Sequence, residues 1–234
     1  LDIKNKVILI TGTSKGIGKY LAEYYLNKNC IVCGCSRNKS DIKNKNYRHF
    51  QLDVADETAV SETLRQIRKE FNRLDVLINN AGIASMNHFL LTPLKTIIDI
   101  YKTNVTGSFL FSRESVKLMK KNKTGRIINM STVAVRLNIE GESVYASSKA
   151  ALNSFTKILA KEISPYNITV NAVGLAPMKT DLIKNVPDEK IEKLLNQMTV
   201  KRLMEFEDIT NMTDFLINDN SSFITGQVIY MGGV

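Results

Sequence analysis

Short apolar runs recur along the chain, each closed by polar or glycine-containing turn residues, with longer segments of helical apolar spacing between them. Val7 to Ile10, Ile31 to Cys35, Tyr47 to Leu52, Asp75 to Ile78, Gly125 to Met130, Ile168 to Val173 and Gly226 to Tyr230 read as strands. Their short length and turn-rich flanks separate them from helices. Glu57 to Phe71 is amphipathic, with Val60, Leu64 and Ile67 on one stripe, which predicts a helix laying one face on a core. Further helices are predicted from the turn at Gly16 to about Asn29, from Leu91 to about Lys121, from Tyr145 to about Ile163, and from Glu207 to Leu216. Gly174 to Lys201 reads as an irregular and partly helical excursion rich in methionine and lysine. Strand and helix alternate throughout, which predicts an α/β fold built on one doubly wound parallel sheet with helices on both faces.

Composition narrows this picture without changing it. No Pro/Gly/Ser-rich break divides the 234 residues, so a single domain over 1–234 is expected. With 44% hydrophobic and 24% charged residues, the chain has the balance of a globular protein with a sizeable core. The net charge of +9 comes from lysines scattered among asparagines along the whole chain, not massed on one helix. That pattern describes a solvated basic surface, suited to anionic small molecules, and argues against a nucleic-acid partner. The run Val7 to Ile10 is too short for the apolar core of a signal peptide, and no run approaches a membrane span, so a cytoplasmic protein with no membrane partner is expected. Cys30, Cys33 and Cys35 form an odd cluster with no fourth ligand or neighbouring histidine, so no metal is expected; Cys33 and Cys35 share one strand face, where small apolar residues pack.

The candidate chemistry lies at strand ends. Thr11-Gly12-Thr13-Ser14-Lys15-Gly16-Ile17-Gly18 joins a strand to a helix. Glycines there permit a tight turn and close approach to a pyrophosphate, while the helix N-terminus offers unpaired N–H groups. This is the context of a dinucleotide site in a Rossmann-type sheet. The second strand ends in Ser36-Arg37, with no acidic residue to accept from a ribose 2′-hydroxyl. Arg37 and Lys15 suit a 2′-phosphate instead, which points to NADP(H). Asp53, beside Val54, can accept from an adenine amino group; Asn79-Asn80-Ala81-Gly82 and Ser131-Thr132 close two more strands. Asn104 stands in an otherwise apolar stretch, where a polar side chain needs partners.

Tyr145 and Lys149 are four residues apart on a helix, which puts phenol and ammonium on one face. Bringing a phenol from about pH 10 to neutrality takes about 4 kcal/mol. One positive charge ~4 Å away at an effective dielectric near 20 supplies roughly that amount. The pair therefore reads as an acid/base device.

Together these motifs, in this order and over essentially the whole length, resemble the short-chain dehydrogenase/reductase family. Thr11-Gly12-x-x-x-Gly16-x-Gly18 is similar to its coenzyme loop, Asn79-Asn80-Ala81-Gly82 to its sheet-stabilising motif, Asn104 to its catalytic asparagine and Tyr145-x-x-x-Lys149 to its active-site pair. The resemblance implies hydride transfer between a nicotinamide and a carbonyl or secondary alcohol. Tyr145 would exchange the proton, Lys149 would lower the tyrosine pKa and hold the nicotinamide ribose, and Asn104 would order a water that relays protons. A hydroxyl of Ser131 or Thr132 would polarise the carbonyl. Thr132, thirteen residues before Tyr145, matches the family's serine, with Ser131 as loop support. Implied coenzyme contacts are Gly12, Ser14, Lys15, Ile17, Gly18, Arg37, Asp53, Val54, Asn80, Gly82, Tyr145, Lys149 and Thr180.

The resemblance leans toward 3-oxoacyl-[acyl-carrier-protein] reductases, which implies a possible acyl carrier protein as partner. Those reductases usually carry a basic residue before Ile-Thr-Val-Asn, where this chain has Ser164-Pro165-Tyr166-Asn167, leaving Lys123 and Arg126 as nearby cations. A small-molecule substrate such as a sugar or other hydroxyl compound is the competing expectation, and a non-catalytic dinucleotide sensor the alternative of another class. Two further departures are Pro177, displaced by the intervening Gly174-Leu175-Ala176, and Met231 where an aspartate usually precedes Gly232-Gly233. A substrate lid is expected over about 178–204, with Leu182, Ile183, Leu194, Leu195 and Met198 as its apolar residues. The family also implies a homodimer or homotetramer formed through the helices bearing Asn104 and Tyr145, for which Phe109, Leu110, Leu152, Phe155 and Leu159 are candidates.

Overall fold

The computed structural model describes residues 3–180 and 186–234. Among these, β1 (Val7–Thr11), β2 (Ile31–Ser36), β3 (Tyr47–Gln51), β4 (Val76–Asn79), β5 (Gly125–Thr132), β6 (Ile168–Leu175) and β7 (Val228–Tyr230) form one sheet in the order β3-β2-β1-β4-β5-β6-β7. Every neighbouring pair is parallel. The helices are α1 (Gly16–Asn27), α2 (Glu57–Phe71), α3 (Leu94–Tyr101), α4 (Gly107–Asn122), α5 (Ala134–Leu137), α6 (Ser143–Glu162), α7 (Asp188–Asn196) and α8 (Phe206–Ile217).

Strand alternation divides the core into two layers, as the near-continuous burial of the strands requires. Ile8, Ile10, Val32, Ile78, Ile128 and Met130 face α1 and α8, meeting Leu21, Tyr25, Ile209 and Leu216. Val7, Leu9, Cys33, Cys35, Leu77 and Ile127 face the other way, onto Val60, Leu64 and Ile67 of α2 and Leu110, Phe111 and Leu118 of α4. The doubly wound sheet and the strand role of Cys33 and Cys35 are thus as expected. Burial pushes the three thiols up, to about 11 for Cys30 and about 12 for Cys33 and Cys35. Among the described residues no helix is long and apolar enough to cross a membrane, and no group of three or more His, Cys, Asp or Glu could hold a metal ion.

Helix ends follow local chemistry. The Asp56 carboxylate accepts from the Ala59 N–H at 3.0 Å to start α2, and a reciprocal Glu205/Asp208 capping box starts α8. Asn72 and Asn138, at φ 53° and 51°, end α2 and α5 in the left-handed conformation that glycine usually supplies.

β5 and β6 run two residues beyond the predicted Met130 and Val173. Ser131 pairs with Gly174 and Thr132 with Leu175, so the ladder continues through the candidate hydroxyls. Gly174 allows this, because a Cβ there would lie 2.4 Å from the Tyr230 ring on β7. The displaced Pro177 consequently falls after the strand, where its missing N–H breaks no ladder bond. The long helix predicted from Leu91 is also not uniform. A short 3-10 turn at Phe89–Leu91 and α3 precede a π-helical turn, Lys102–Thr106, before α4 begins. Of the expected lid, Leu182 and Ile183 lie outside the described residues; Met198 is buried in the core and Leu194 reaches the cleft.

Candidate active site

The chain leaves β1 toward β2 and β3 on one side, then returns to place β4 on the other side of β1. The crevice above the carboxyl ends of β1 and β4 is the topological switch point, where open α/β sheets hold ligands. A cleft of about 660 Å³ lies there. Its walls include Gly12, Ser14, Lys15, Ile17, Arg37, Asp53, Val54, Asn80, Gly82, Ser131, Thr132, Tyr145, Lys149 and Thr180, so segments far apart in sequence converge on it. Gly18 and Asn104 do not reach its surface.

Gly12 turns out of β1 at φ +79°, and a Cβ on it would stand 3.0 Å from both Ala81 Cα and Asn80 Nδ2. Gly18 serves packing instead of direct contact, since its Cβ would fall 2.2 Å from the Gly12 carbonyl oxygen. Asn80 closes the same corner by donating to the Thr11 carbonyl at 2.8 Å, while the Asn80 and Ala81 N–H groups donate to Thr11 Oγ1, each at 2.9 Å. A backbone this close to the cleft and free of side chains fits a pyrophosphate at the α1 N-terminus. Lys15 and Arg37 are exposed on the rim beside it, where they suit a further phosphate. Asp53 is held by the Ala55 N–H at 3.0 Å and lies 3.6 Å from Lys102, so its outer oxygen remains near a cation.

At the other end of the cleft stands the Tyr145 and Lys149 pair. The Lys149 ammonium is buried and donates to the Met130 carbonyl at 2.7 Å; burial pushes its pKa down to about 8. Its Nζ lies 6.0 Å from the Tyr145 ring centroid. The phenol is not brought toward neutrality as the sequence suggested. Burial raises its pKa well above 10.0 and the Glu142 carboxylate adds to this, while a hydrogen bond with Thr132 offsets part of it. The lysine's charge, itself held by a main-chain carbonyl, does not overcome the desolvation of the phenol. The Thr132 hydroxyl accepts from the Ala134 N–H at 3.2 Å, which leaves its own proton to donate. The Ser131 hydroxyl is buried and has no protein partner among the described residues.

Asn104 sits fully buried in the π turn. Its Oδ1 accepts from the Ile83 N–H at 2.9 Å, and its Nδ2 donates to the Ile83 carbonyl and to Ser148 Oγ, both at 3.0 Å. Ser148 Oγ in turn donates to the Tyr145 carbonyl at 2.7 Å. Both amide protons are thereby occupied, so the side chain braces the strand-end loop against α6.

Glu142 of the cleft and several contacts behind it escaped the sequence reading. Glu142 enters because α6 starts at Ser143, one residue after it; its i,i+3 spacing from Tyr145 was the available signal. Behind the Arg37 rim, Ser36 Oγ donates to the Asn38 carbonyl at 2.8 Å and His49 bridges that carbonyl and the Tyr47 hydroxyl, at 3.0 and 3.1 Å. Tyr47 fits only because Gly34 lies beneath it, where a Cβ would meet its hydroxyl at 2.2 Å. Deeper in, Asn79 Nδ2 donates to Asn129 Oδ1 and Asn129 Nδ2 to Thr156 Oγ1, both at 2.8 Å, tying β4, β5 and α6 together.

Residues 6–191 match the family model described as short chain dehydrogenase. The chain belongs to the short-chain dehydrogenase family. Among curated relatives of this short-chain dehydrogenase, the 3-oxoacyl-[acyl-carrier-protein] reductases FabG of Salmonella typhimurium and Escherichia coli K12 are each 32% identical, covering 100% of this chain and 98% of theirs. FabG of Buchnera aphidicola subsp. Baizongia pistaciae is 34% identical over 97% of this chain and 96% of its own. A solved structure described as ElxO with NADP bound superposes with a TM-score of 0.88 at 31% identity, covering 97% of each chain.

Two surface expectations for this short-chain dehydrogenase need correction. Arg126 is not a surface cation: it is 4% exposed, donates to the Gly125 carbonyl and lies 3.6 Å from Asp219. Among the candidate assembly residues, Leu110, Leu152 and Leu159 are buried in the chain's own core. Phe109 remains exposed against Phe155, at 5.2 Å between ring centroids, and Ile158 joins them at the surface.

Proposed function

We propose that the protein is an NADP(H)-dependent oxidoreductase that reduces a carbonyl to a secondary alcohol through Tyr145, Lys149 and Thr132, with Asn104 as their brace. The observation that carries this is one cleft containing both the side-chain-free turn at Gly12 with its rim cations and the Tyr145/Lys149/Thr132 group. The Gly12 turn, Lys15, Arg37, Asp53, Asn80, Thr180 and Lys149 would hold NADPH in this cleft, and the chemistry it would supply when bound is a hydride for the carbonyl carbon. Thr132 turns its hydroxyl proton from the phenol to the carbonyl oxygen, and Tyr145 delivers the proton that completes the alcohol. A phenol pKa raised by burial keeps Tyr145 protonated at neutral pH, the form that reduction requires. Lys149, still largely protonated below its pKa of about 8, favours the negative charge that develops as the proton leaves.

FabG relatives support a 3-oxoacyl thioester as substrate, with an acyl carrier protein as its bearer. The loop Ser164–Tyr166, which carries no cation of its own, and the burial of Arg126 favour the second reading, a small hydroxyl-bearing carbonyl compound, because of the two expected docking cations Lys123 alone stays at the surface. A homodimer or homotetramer through α3, α4 and α6 accounts for their exposed apolar residues.

The test follows NADPH and NADH oxidation with panels of 3-oxoacyl thioesters, hydroxyketones and simple ketones. Two phosphate-directed cations imply a preference for NADPH of about tenfold or more. Tyr145→Phe is expected to lose about 100-fold to 10,000-fold in turnover, and Arg37→Asp to reverse the coenzyme preference. Equal efficiency with NADH in the unaltered protein would remove the assignment to NADP(H).

A further inference from the structure

Glu142 is a carboxylate inside the reaction cleft whose side chain makes no hydrogen bond and no ion pair among the described residues. It lines the cleft together with Thr132, Tyr145, Ile139, Met178 and Leu194. Its backbone is fixed: the N–H donates to the Ile139 carbonyl at 3.3 Å and the carbonyl accepts from the Ala146 N–H at 2.7 Å. The side chain does not cap α6, although it stands at the N-cap position where a carboxylate would ordinarily do so. Among the described residues no cation pairs with it. Lys149 donates to the Met130 carbonyl, and the Arg136 guanidinium lies over the Tyr230 ring, 5.9 Å from its centroid. Burial alone raises the carboxyl pKa, with no charged neighbour offsetting it, and the carboxylate is close enough to raise the Tyr145 pKa in turn.

A carboxylate in such a place is costly once a substrate displaces the water around it, because the lost hydration must be replaced by a donor. The phenol spends its proton on the carbonyl oxygen, and the walls at Ile139, Met178 and Leu194 are apolar and carry none. Among the described residues of this wall no donor is left, so the donor is assigned to the substrate. We propose that Glu142 is a substrate-binding residue that selects carbonyl compounds bearing a hydrogen-bond donor, a hydroxyl or a protonated amine, next to the carbonyl. This rests on the reading that Tyr145 meets the carbonyl oxygen. It disfavours plain alkyl and acyl ketones, which leave the carboxylate unpaired, and disfavours acidic groups at that position more strongly.

The experiment compares acetophenone with its α-hydroxy and α-amino derivatives in the unaltered protein and in Glu142→Gln. Reduction by NADPH is measured alongside dissociation constants from ligand-observed NMR on protein saturated with NADP+. The unaltered protein is expected to favour the two donor-bearing ketones by about tenfold to 100-fold, expressed mainly in KM and in the dissociation constant. In Glu142→Gln the preference for the amine is expected to fall to within about threefold, while part of the hydroxyl preference persists because the amide oxygen still accepts. Equal binding of all three ketones by the unaltered protein, a measurement that needs no variant, overturns the inference. So does an amine preference that survives in Glu142→Gln. If none of the three is reduced, the reductase reading fails for these ketones, and the dissociation constants still decide the role of Glu142.

Discussion

The hydroxyl that meets the phenol belongs to Thr132, and its neighbour Ser131 keeps a buried hydroxyl with no protein partner. Loss of one polarising donor typically costs about 100-fold to 1000-fold, so Thr132→Ala is expected to be nearly inactive and Thr132→Ser active. Ser131→Ala is expected to change turnover little, since no bond is lost; a crippled but folded Ser131→Ala protein would reverse the two roles. Lys149 makes a different prediction, about stability. Its pKa of about 8 in the folded protein lies below the ordinary 10.5, so the unfolded chain holds that proton more tightly. Stability therefore rises with pH between about 8 and 10.5, and below that window the buried ammonium imposes a steady cost of up to about 3 kcal/mol. Lys149→Met is accordingly expected to raise the thermal midpoint of the coenzyme-free protein at pH 7 while abolishing turnover. The gain should shrink as pH rises through that window; a midpoint that falls at pH 7 would show that the Met130 bond outweighs the desolvation.

Element ends show how this chain substitutes asparagine for glycine. Asn29, Asn72, Asn138 and Asn167 all adopt positive φ, which their short polar side chains tolerate better than most. Lys123 does the same job at the end of α4, at φ 50° and ψ 40°, without that advantage. Lys123→Gly is expected to stabilise the protein by about 0.5 to 1 kcal/mol, the left-handed strain relieved less the entropy glycine adds to the unfolded chain. A urea midpoint that moves down instead would mean that the lysine side chain supplies a compensating contact. The π turn at Lys102–Thr106 is the other element with a purpose. An extra residue per turn rotates Asn104 inward, where its side chain saturates Ile83 and supports Ser148, and α-helical spacing resumes at Gly107.

On the scale of the whole molecule, the apolar surface is concentrated before and along α3, with more on α4 and α6. Phe89, Leu90, Leu91, Leu94 and Ile98 are exposed, as are Phe109 and Ile158. Large exposed apolar residues in this number are more than a monomer normally leaves in water. Sedimentation at micromolar concentration is expected to show a species of two or four chains, each of 26.3 kDa. Leu94→Glu with Ile98→Glu is expected to shift it toward the single chain. A 26.3 kDa species alone in the unaltered protein would refute the assembly.

Much of this was legible along the chain, for a physical reason. Strand and helix periods are local, so the alternation of elements, the α/β class and the shared face of Tyr145 and Lys149 follow from spacing of two or four residues. The Gly12 turn was readable too, because a strand, a tight turn and a helix are consecutive in sequence. What spacing could not supply is the surroundings of each side chain, which come from segments remote in sequence. Asn104 read as a polar residue in need of partners, and only packing against Ile83 and Ser148 showed that its side chain is fully occupied. Arg126 read as a docking cation until β5 carried it into the interior beside Asp219. Leu110, Leu152 and Leu159 shared an apolar pattern with Phe109 and Phe155, and the sheet alone decided which became core. The electrostatics of the site were likewise decided by tertiary structure. A lysine four residues on implies a lowered phenol pKa in water-like surroundings, whereas desolvation of the phenol in the cleft and the carboxylate of Glu142 raise it.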